Sequence, residues 1–581
     1  MLSEFRSLLP LLRRYRWHYV AGVASLVVTS GAQLAIPQFI GRAIDILSGS
    51  RTAVPAIGRL MLFLMLTAVV IAAGRLGWRF FIHGSSRRIE AELRRRLYHH
   101  LLELPPSYFQ TVKTGDIMAR ATNDMNAVRM AVGMALVAFI DGLFMTVAIL
   151  TILISQNPRL ALLTVAPLPL ITATIIFLGN RIGHLFRAVQ EGFSRMSDQA
   201  QEVLSGVRVV KAYVKEPFFL RRFADANDNY QYQNMRLVRI WGMFFPLVSF
   251  LSGLTLLMLL WFGGRALLSG ELSTGEFVAT LSYLQMLIWP MLGAGFTVNM
   301  LQRGAASLGR INEILDAPTE IASPEHGRTR PVAGGLSLRG LTLSYPAAST
   351  AALEEINLEI EKGRMLGVLG RTGSGKSSLL QVLPRLTDPP VGTVFVDGTD
   401  VHDYELDTLR AAFGVVPQST FLFSASVRDN VSFARPEADD DEVSRVIELS
   451  AMDTDLAEFP HGWDTIVGER GVTLSGGQRQ RIAIARALLA DPEILMLDDA
   501  LSAVDTRTED RILSTILETR RGRTTILVSN RVSTLRHADH IIILDAGRIT
   551  QRGTHGELMA QAGLYREIYQ LQQQEAAKEH L

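Results

Sequence analysis

Four stretches of this chain, Tyr19–Gly41, Leu160–Asn180, Ile240–Gly264 and Phe277–Gln302, contain no charged side chain at all. Each reaches the length of about 20 residues that a helix needs to cross a bilayer core. Within lipid, a helix satisfies its own backbone hydrogen bonds, so long apolar runs of this kind predict membrane-spanning helices. Met130–Ser155 meets the same test apart from Asp141. Leu60–Gly74, bounded by Arg59 and Arg75, is short alone and becomes a sixth span if Arg75 and Arg79 face a polar cavity or snorkel. Pro37, Pro167, Pro169, Pro246 and Pro290 fall inside spans, where packed neighbours can satisfy the carbonyls they free.

The connections between spans alternate in character. Those around Leu47–Ile57, Gln156–Arg159 and Arg265–Glu276 are short and carry few basic residues, whereas His83 to Arg129 and Arg181 to Arg236 are long and rich in arginine and lysine. The positive-inside rule puts the long connections and both termini in the cytoplasm. Their three-to-four apolar spacing predicts helices, with Pro105-Pro106 the clearest breaker. A 25-residue extension of that kind reaches about 37 Å beyond the membrane. The basic opening Arg13-Arg14-Tyr15-Arg16 leads into a full-length span, which predicts no cleavable signal. A net charge of +2 gives no reason to expect nucleic acid as a partner, and the absence of cysteine removes disulfides, thiolate metal sites and cysteine nucleophiles. Asp141 is the one clear acid inside a span, which marks it for substrate or proton contact, against a structural pair with Arg75 or Arg79 or a wet inward-facing cavity.

Beyond a Pro- and Gly-rich stretch at Ala317–Gly335 the pattern changes to short β-branched runs between helical segments, an α/β pattern. The apolar Met365–Leu369 runs into Gly370-Arg371-Thr372-Gly373-Ser374-Gly375-Lys376-Ser377, a P-loop with a helix starting near Ser377. Backbone N–H groups of such a loop and the helix N-terminus wrap phosphates, Lys376 reaches the β- and γ-phosphates, and the Ser377 hydroxyl ligates Mg²⁺. Asp498 closes the apolar run Ile494–Leu497, where a carboxylate is costly unless a metal or donor satisfies it. Leu474-Ser475-Gly476-Gly477-Gln478 opens a helix rich in Arg and Gln, a second phosphate cap.

Together these motifs resemble the ABC exporter family over essentially the whole chain. The resemblance implies a membrane all-α six-helix exporter domain (1–316), a linker (317–336) and an α/β P-loop ABC ATPase domain (337–581), with ATP and Mg²⁺ as cofactors. It makes Thr114–Arg120 and Ser205–Tyr213 the segments around two coupling helices, and Gly468-Glu469-Arg470-Gly471 an exporter-specific segment facing the opposite coupling helix. It assigns Tyr345 to adenine stacking, Ser378 to the nucleotide site beside the P-loop residues, and Gln418, in Val416-Pro417-Gln418, to the metal and the attacking water. The metal set it implies is Ser377, Gln418 and Asp498. Two such domains bind head to tail, so Ser475, Gly476, Gly477 and Gln478 would cap the ATP held by a partner half-transporter.

The sequence departs from the family at two positions. Asp499 stands where the family has glutamate, and Asn530, in Leu527-Val528-Ser529-Asn530-Arg531, where it has histidine. Asp499 keeps the charge on an arm shorter by about 1.5 Å, and a displacement of about 1 Å can cost on the order of 100-fold in rate. The pair implies a degenerate site on this chain, while the intact signature completes an active site on the partner. The expectation is an exporter subunit at the bacterial inner membrane, moving amphipathic multidrug-type compounds by alternating access. A lipid flippase or peptide exporter would share these motifs, and a gated channel of ABC ancestry would fit the degenerate site but bring regulatory segments that are not visible. The six spans exclude a soluble ABC ATPase. The polar tail from Gln570 reads as a frayed helix.

Overall fold

The computed structural model describes residues 4–49, 54–345, 350–468 and 474–579. The chain divides into two compact units, Met1–Leu102 with Lys113–Ala317, and Glu103–Val112 with Pro318–Leu581.

Among the described residues, six helices are long and apolar enough to cross a membrane: α1 (Arg16–Ser48), α2 (Pro55–Glu103), α3 (Thr114–Gln156), α4 (Pro158–Ser205), α5 (Glu216–Leu268) and α6 (Thr274–Leu315). Each outruns its apolar stretch; the 49 residues of α2 span about 74 Å, more than twice the hydrocarbon thickness. The short stretch Leu60–Gly74 is therefore part of one rod that passes Arg75 and Arg79 without interruption, with the Arg79 guanidinium 5.5 Å from the Trp78 ring centre. The helical ladder widens into single π turns at Arg79–His83, Arg120–Asp124, Ala131–Ala135 and Leu259–Gly263. Pro37, Pro246 and Pro290 sit inside continuous helices, but α4 turns at Ala166 and Pro167 and restarts at Leu168.

Polar contacts tie the spans together. Asp45 of α1 accepts from Ser273 Oγ (2.8 Å) and from the backbone N–H of Gly275 (2.7 Å) at the start of α6. The two helices approach so closely there that a Cβ on Gly275 would lie 2.0 Å from the Gly41 carbonyl oxygen. Tyr283, fully buried, donates its hydroxyl to the Leu34 carbonyl at 2.7 Å, beside the carbonyl that Pro37 leaves without a helical donor. Asp141 falls in the buried four-residue series Val137, Met145, Ile149 of α3, and accepts from the buried Ser30 Oγ at 2.5 Å. Among the described residues no cation pairs with Asp141, so the alternative of an ion pair with Arg75 or Arg79 gives way to a hydroxyl from α1. Farther along α3, Asp124 is gripped by Arg310 (Nε 2.8 Å) and Ser307 (2.9 Å) of α6.

The segment Thr114–Arg120 opens α3, and Ser205–Tyr213 comprises the end of α4, Gly206 and the short helix Val207–Ala212.

The second unit carries two sheets. One is antiparallel in the order β2-β1-β4-β5, with β1 Leu336–Leu343, β2 Leu353–Ile360, β4 Val394–Val396 and β5 Thr399–Asp400. The other has the order β10-β9-β3-β8-β7-β6, from β3 Met365–Gly370, β6 Phe413–Val416, β7 Ile494–Asp498, β8 Thr524–Val528, β9 His540–Asp545 and β10 Arg548–Gly553. Its strands β9, β3, β8, β7 and β6 are parallel, and β3 and β8 are buried along their whole length, as expected of strands covered on both faces. Helices α7 (Lys376–Val382), α8 (Gly476–Leu489), α9 (Thr506–Thr519) and α10 (Leu564–Glu579) supply the parts needed below. The tail from Gln570 continues α10 to Glu579, behind Tyr565, Ile568 and Tyr569, which pack on the larger core.

Candidate nucleotide site and its neighbourhood

Parallel strands deliver their C-terminal ends to one edge of the sheet, the usual position of a ligand crevice. Here β3 ends at Gly370, β7 at Asp498 and β8 at Val528, with Asp498 in register with Val528. The backbone then holds the continuations in place, since Asp499 N donates to Val528 O (2.9 Å) and Ser529 N to Val368 O (3.3 Å).

The loop after β3 curls because glycine permits it. Gly375 has φ +99°, and a Cβ there would lie 2.4 Å from the Ala352 carbonyl oxygen. Lys376 folds back over the loop, donating to the carbonyls of Gly370 (2.6 Å) and Arg371 (3.0 Å). Ser374 Oγ is buried without a hydrogen-bond partner, and the Ser377 hydroxyl donates to Asp498 Oδ2 at 2.9 Å. Burial holds the Lys376 ammonium below its ordinary range, against the pull of Asp498 and Asp499. Burial likewise raises the Asp498 carboxyl above its usual range; Asp499 adds to this, and Ser377 and Lys376 oppose it. A loop of N–H groups, an orphaned hydroxyl and an oxygen pair formed by Ser377 and a desolvated carboxylate fit a nucleotide phosphate with a divalent cation. Tyr345 is half-buried and donates its hydroxyl to Ser378 Oγ at 3.1 Å, while Gln418 is exposed. Arg371, Thr372 and Gly373 lie exposed at the loop tip.

Asp499 sits in the left-handed region at φ +49°, where aspartate is tolerated better than longer side chains. Asn530 Nδ2 lies 3.5 Å from Asp499 Oδ2. The backbone of Asp499 is held through its carbonyl, which accepts from Ser502 Oγ (2.8 Å) and Gln480 Nε2 (3.4 Å).

The signature segment is set apart from that edge. Ser475 caps α8 through a reciprocal box in which Gln478 N reaches Ser475 Oγ (3.2 Å) and Ser475 N reaches Gln478 Oε1 (2.9 Å). Gln478 also donates to Asp455 Oδ1 (3.0 Å), and a Cβ on Gly477 would lie 2.9 Å from the Ala503 carbonyl oxygen. Gly476 likewise backs onto Ala503. Among the described contacts none joins Ser475–Gln478 to the P-loop. The segment Gly468-Glu469-Arg470-Gly471 extends beyond the described residues after Gly468.

Residues 19–291 match the model of the ABC transporter transmembrane region, and residues 353–502 match that of the ABC transporter. A probable multidrug resistance ABC transporter ATP-binding/permease protein of Bacillus subtilis (strain 168) is 37% identical over 581 residues, covering 100% of this chain and 99% of that protein. The chain belongs to the ABC transporter family. Its kinship within that family extends to the multidrug resistance-like ATP-binding protein MdlA of Escherichia coli (strain K12), 37% identical over 99% of this chain and 97% of that one. It also resembles an ATP-dependent lipid A-core flippase of Chromohalobacter salexigens, 32% identical over 99% of both chains. The solved structure of a bacterial Atm1-family ABC exporter with ATP bound superposes with a TM-score of 0.78 at 25% identity, covering 97% of this chain and 98% of that one. The chain is thus an ABC exporter in which a membrane region and an ATP-binding domain are fused.

Three groups beside the site escaped the motif reading. Gln480 of α8 donates to Ser502 Oγ (3.2 Å) and accepts from Ala503 N (3.0 Å). The buried Glu509 of α9 holds Arg531 (2.7 Å) and the Thr534 hydroxyl. Gln572 of α10 bonds the backbone on both sides of Arg531. An Arg/Gln-rich helix start hinted at the first; nothing local in the sequence signals the other two.

Proposed function

We propose that this chain is one half of a heterodimeric, ATP-driven exporter of amphipathic compounds at the bacterial inner membrane, and that it binds ATP at its own P-loop but hydrolyses it poorly. The observation that carries this reading is the Asp499–Asn530 contact at 3.5 Å. Two side chains shorter than the family's glutamate and histidine lean on each other at the strand ends. Asp499 lacks the reach its longer counterpart would use to orient water, and Asn530 can still donate a hydrogen bond but cannot become cationic beside a terminal phosphate.

In this reading the loop amides and Lys376 bind the phosphates, Ser377 and Asp498 hold Mg²⁺ with Gln418, and Tyr345 meets adenine. The metal, when bound, supplies neutralisation of phosphate charge. Ser475 and the Gly476 and Gly477 amides cap the γ-phosphate on the partner's P-loop, where charge develops during hydrolysis. Both termini and the ATPase domain lie in the cytoplasm, consistent with the basic long connections, and the domain boundaries fall at 316 and 337.

The test is Mg²⁺-dependent ATPase of the purified chain alone and with its partner half-transporter. The alone sample should bind ATP and turn over very slowly, and the pair should be active; robust turnover by the chain alone overturns the degenerate-site reading. A second reading, a lipid flippase, is favoured by the flippase relative at 32% identity. Lipid-stimulated ATPase in the reconstituted pair, without stimulation by amphipathic drugs, would select it.

A further inference from the structure

Helix α10 packs with one face. Tyr565 is fully buried, Ile568 and Tyr569 lean on the larger core, and Gln572 follows three residues later, so that 565, 568, 569 and 572 share one helical stripe. Tyr565 is further tied by its hydroxyl to His555 Nδ1 (2.7 Å) and by its amide to Gln551 Oε1 (3.3 Å). The anchored stripe fixes where Gln572 ends up. Its Oε1 accepts from Val532 N (3.0 Å) and its Nε2 donates to the Asn530 carbonyl (2.7 Å).

One side chain therefore brackets a three-residue loop on both sides, using both ends of its amide. Between those two bonds, Arg531 points the other way, to Glu509 Oε2 (2.7 Å) and the Ser502 carbonyl (3.4 Å). Asn530 then directs its own amide towards Asp499. A loop held by its backbone on one side and by Arg531 on the other has little freedom left except at the Asn530 side chain.

We propose that Gln572 is a positioning residue for nucleotide recognition: from the C-terminal helix it fixes the backbone of Asn530–Val532 and so aims Asn530 at the terminal phosphate of bound ATP. This rests on the reading of Gly370–Ser377 as the nucleotide site, but not on the heterodimer or on slow hydrolysis. Loss of the bracket leaves two backbone groups to water and the loop free to move. The consequence falls on contacts to the γ-phosphate, which ADP lacks.

The experiment measures equilibrium binding of ATP and ADP, with Mg²⁺, to the full-length chain in nanodiscs, so that turnover does not enter. Gln572→Ala should weaken ATP by about 5- to 20-fold, the scale of one or two hydrogen bonds, and leave ADP unchanged. Gln572→Glu, which still accepts from Val532 N but no longer donates to Asn530, should fall between. Combined with Asn530→Ala it should cost little more than Asn530→Ala alone, because both act on one contact. Leu571→Ala, exposed on the neighbouring face, should match the unaltered chain. Equal weakening of ATP and ADP, unchanged ATP binding, or additive effects in the double variant would each overturn the proposal. If the unaltered chain bound neither nucleotide, the site assignment itself would fall, a result distinct from all three.

Discussion

Asn530 and Asp499, just beyond the ends of the neighbouring strands β8 and β7, meet side chain to side chain at 3.5 Å. That is long for a hydrogen bond, and the two side chains nonetheless have no nearer partner for these atoms than each other among the described bonds. Asp499 is fixed from behind by Gln480 and Ser502, and the Asn530 backbone by Gln572. Reach is therefore set by side-chain length, because the backbones cannot come forward.

Lengthening both arms should restore chemistry. Asp499→Glu with Asn530→His should raise the ATPase rate of the chain alone by on the order of 100-fold, the scale on which a 1 Å placement error acts. Each single change should recover less. Steady-state phosphate release from the purified chain checks this, and an inert double variant argues for a defect elsewhere.

The two halves of the motif set should respond oppositely in the assembled pair. Gly477→Asp should nearly abolish hydrolysis, and Ser475→Ala should reduce it more mildly, since losing a fixed donor to a developing charge costs on the order of 100- to 1000-fold. Asp499→Ala should change turnover little. Because Ser475 also caps α8 and a Cβ on Gly477 meets Ala503, melting temperatures must be recorded beside the rates. Silence with Asp499→Ala and activity with Gly477→Asp would reverse the site assignment.

Among the described residues Asp141 has a hydroxyl partner and no countercharge. If its carboxylate meets cationic substrates, Asp141→Asn should weaken transport of a permanently charged cation by about tenfold, one charge-assisted contact, and spare both a neutral analogue and basal ATPase. Parallel loss of expression and ATPase would mark it as a structural contact with Ser30 instead.

The raised carboxyl of Asp498 gives a pH test. A carboxyl that binds its proton more tightly folded than unfolded destabilises the fold above its raised value, and the penalty vanishes below the unfolded value of 3.8. Without nucleotide, Asp498→Asn should therefore raise the melting temperature more at pH 8 than near pH 4. With Mg²⁺ and ATP the order should invert, because only the carboxylate serves the metal. Scanning fluorimetry across that pH range, with and without nucleotide, reads both signs.

The spans, the strand–loop–helix of the P-loop and the helix opened by Ser475 were legible because each is written in consecutive residues: a charge-free run, glycines before a lysine, a cap before an amphipathic stretch. The partners were not. Ser30 lies 111 residues from Asp141, and Gln572 lies 42 from Asn530. A polar tail looks unanchored by composition, yet it continues α10, and its Gln572 bonds the loop after β8. The turn at Ala166 in α4 was equally hidden, since prolines within an apolar run are compatible with a helix that bends and with one that restarts.

Helix α6 is clasped at Ser273 and Gly275 by Asp45, then runs 42 residues to Leu315, where Ser307 and Arg310 hold Asp124 on the way. Mechanically it is a lever of about 63 Å with a pinned end, so a pivot of about 10° at the pin sweeps the tip through about 11 Å. Pro290 sits near mid-length and is the one place in it where a hydrogen bond is already missing, so flexure that spoils the sweep has a natural address. Stiffening or softening that residue changes the gearing of the rod without touching either of its ends.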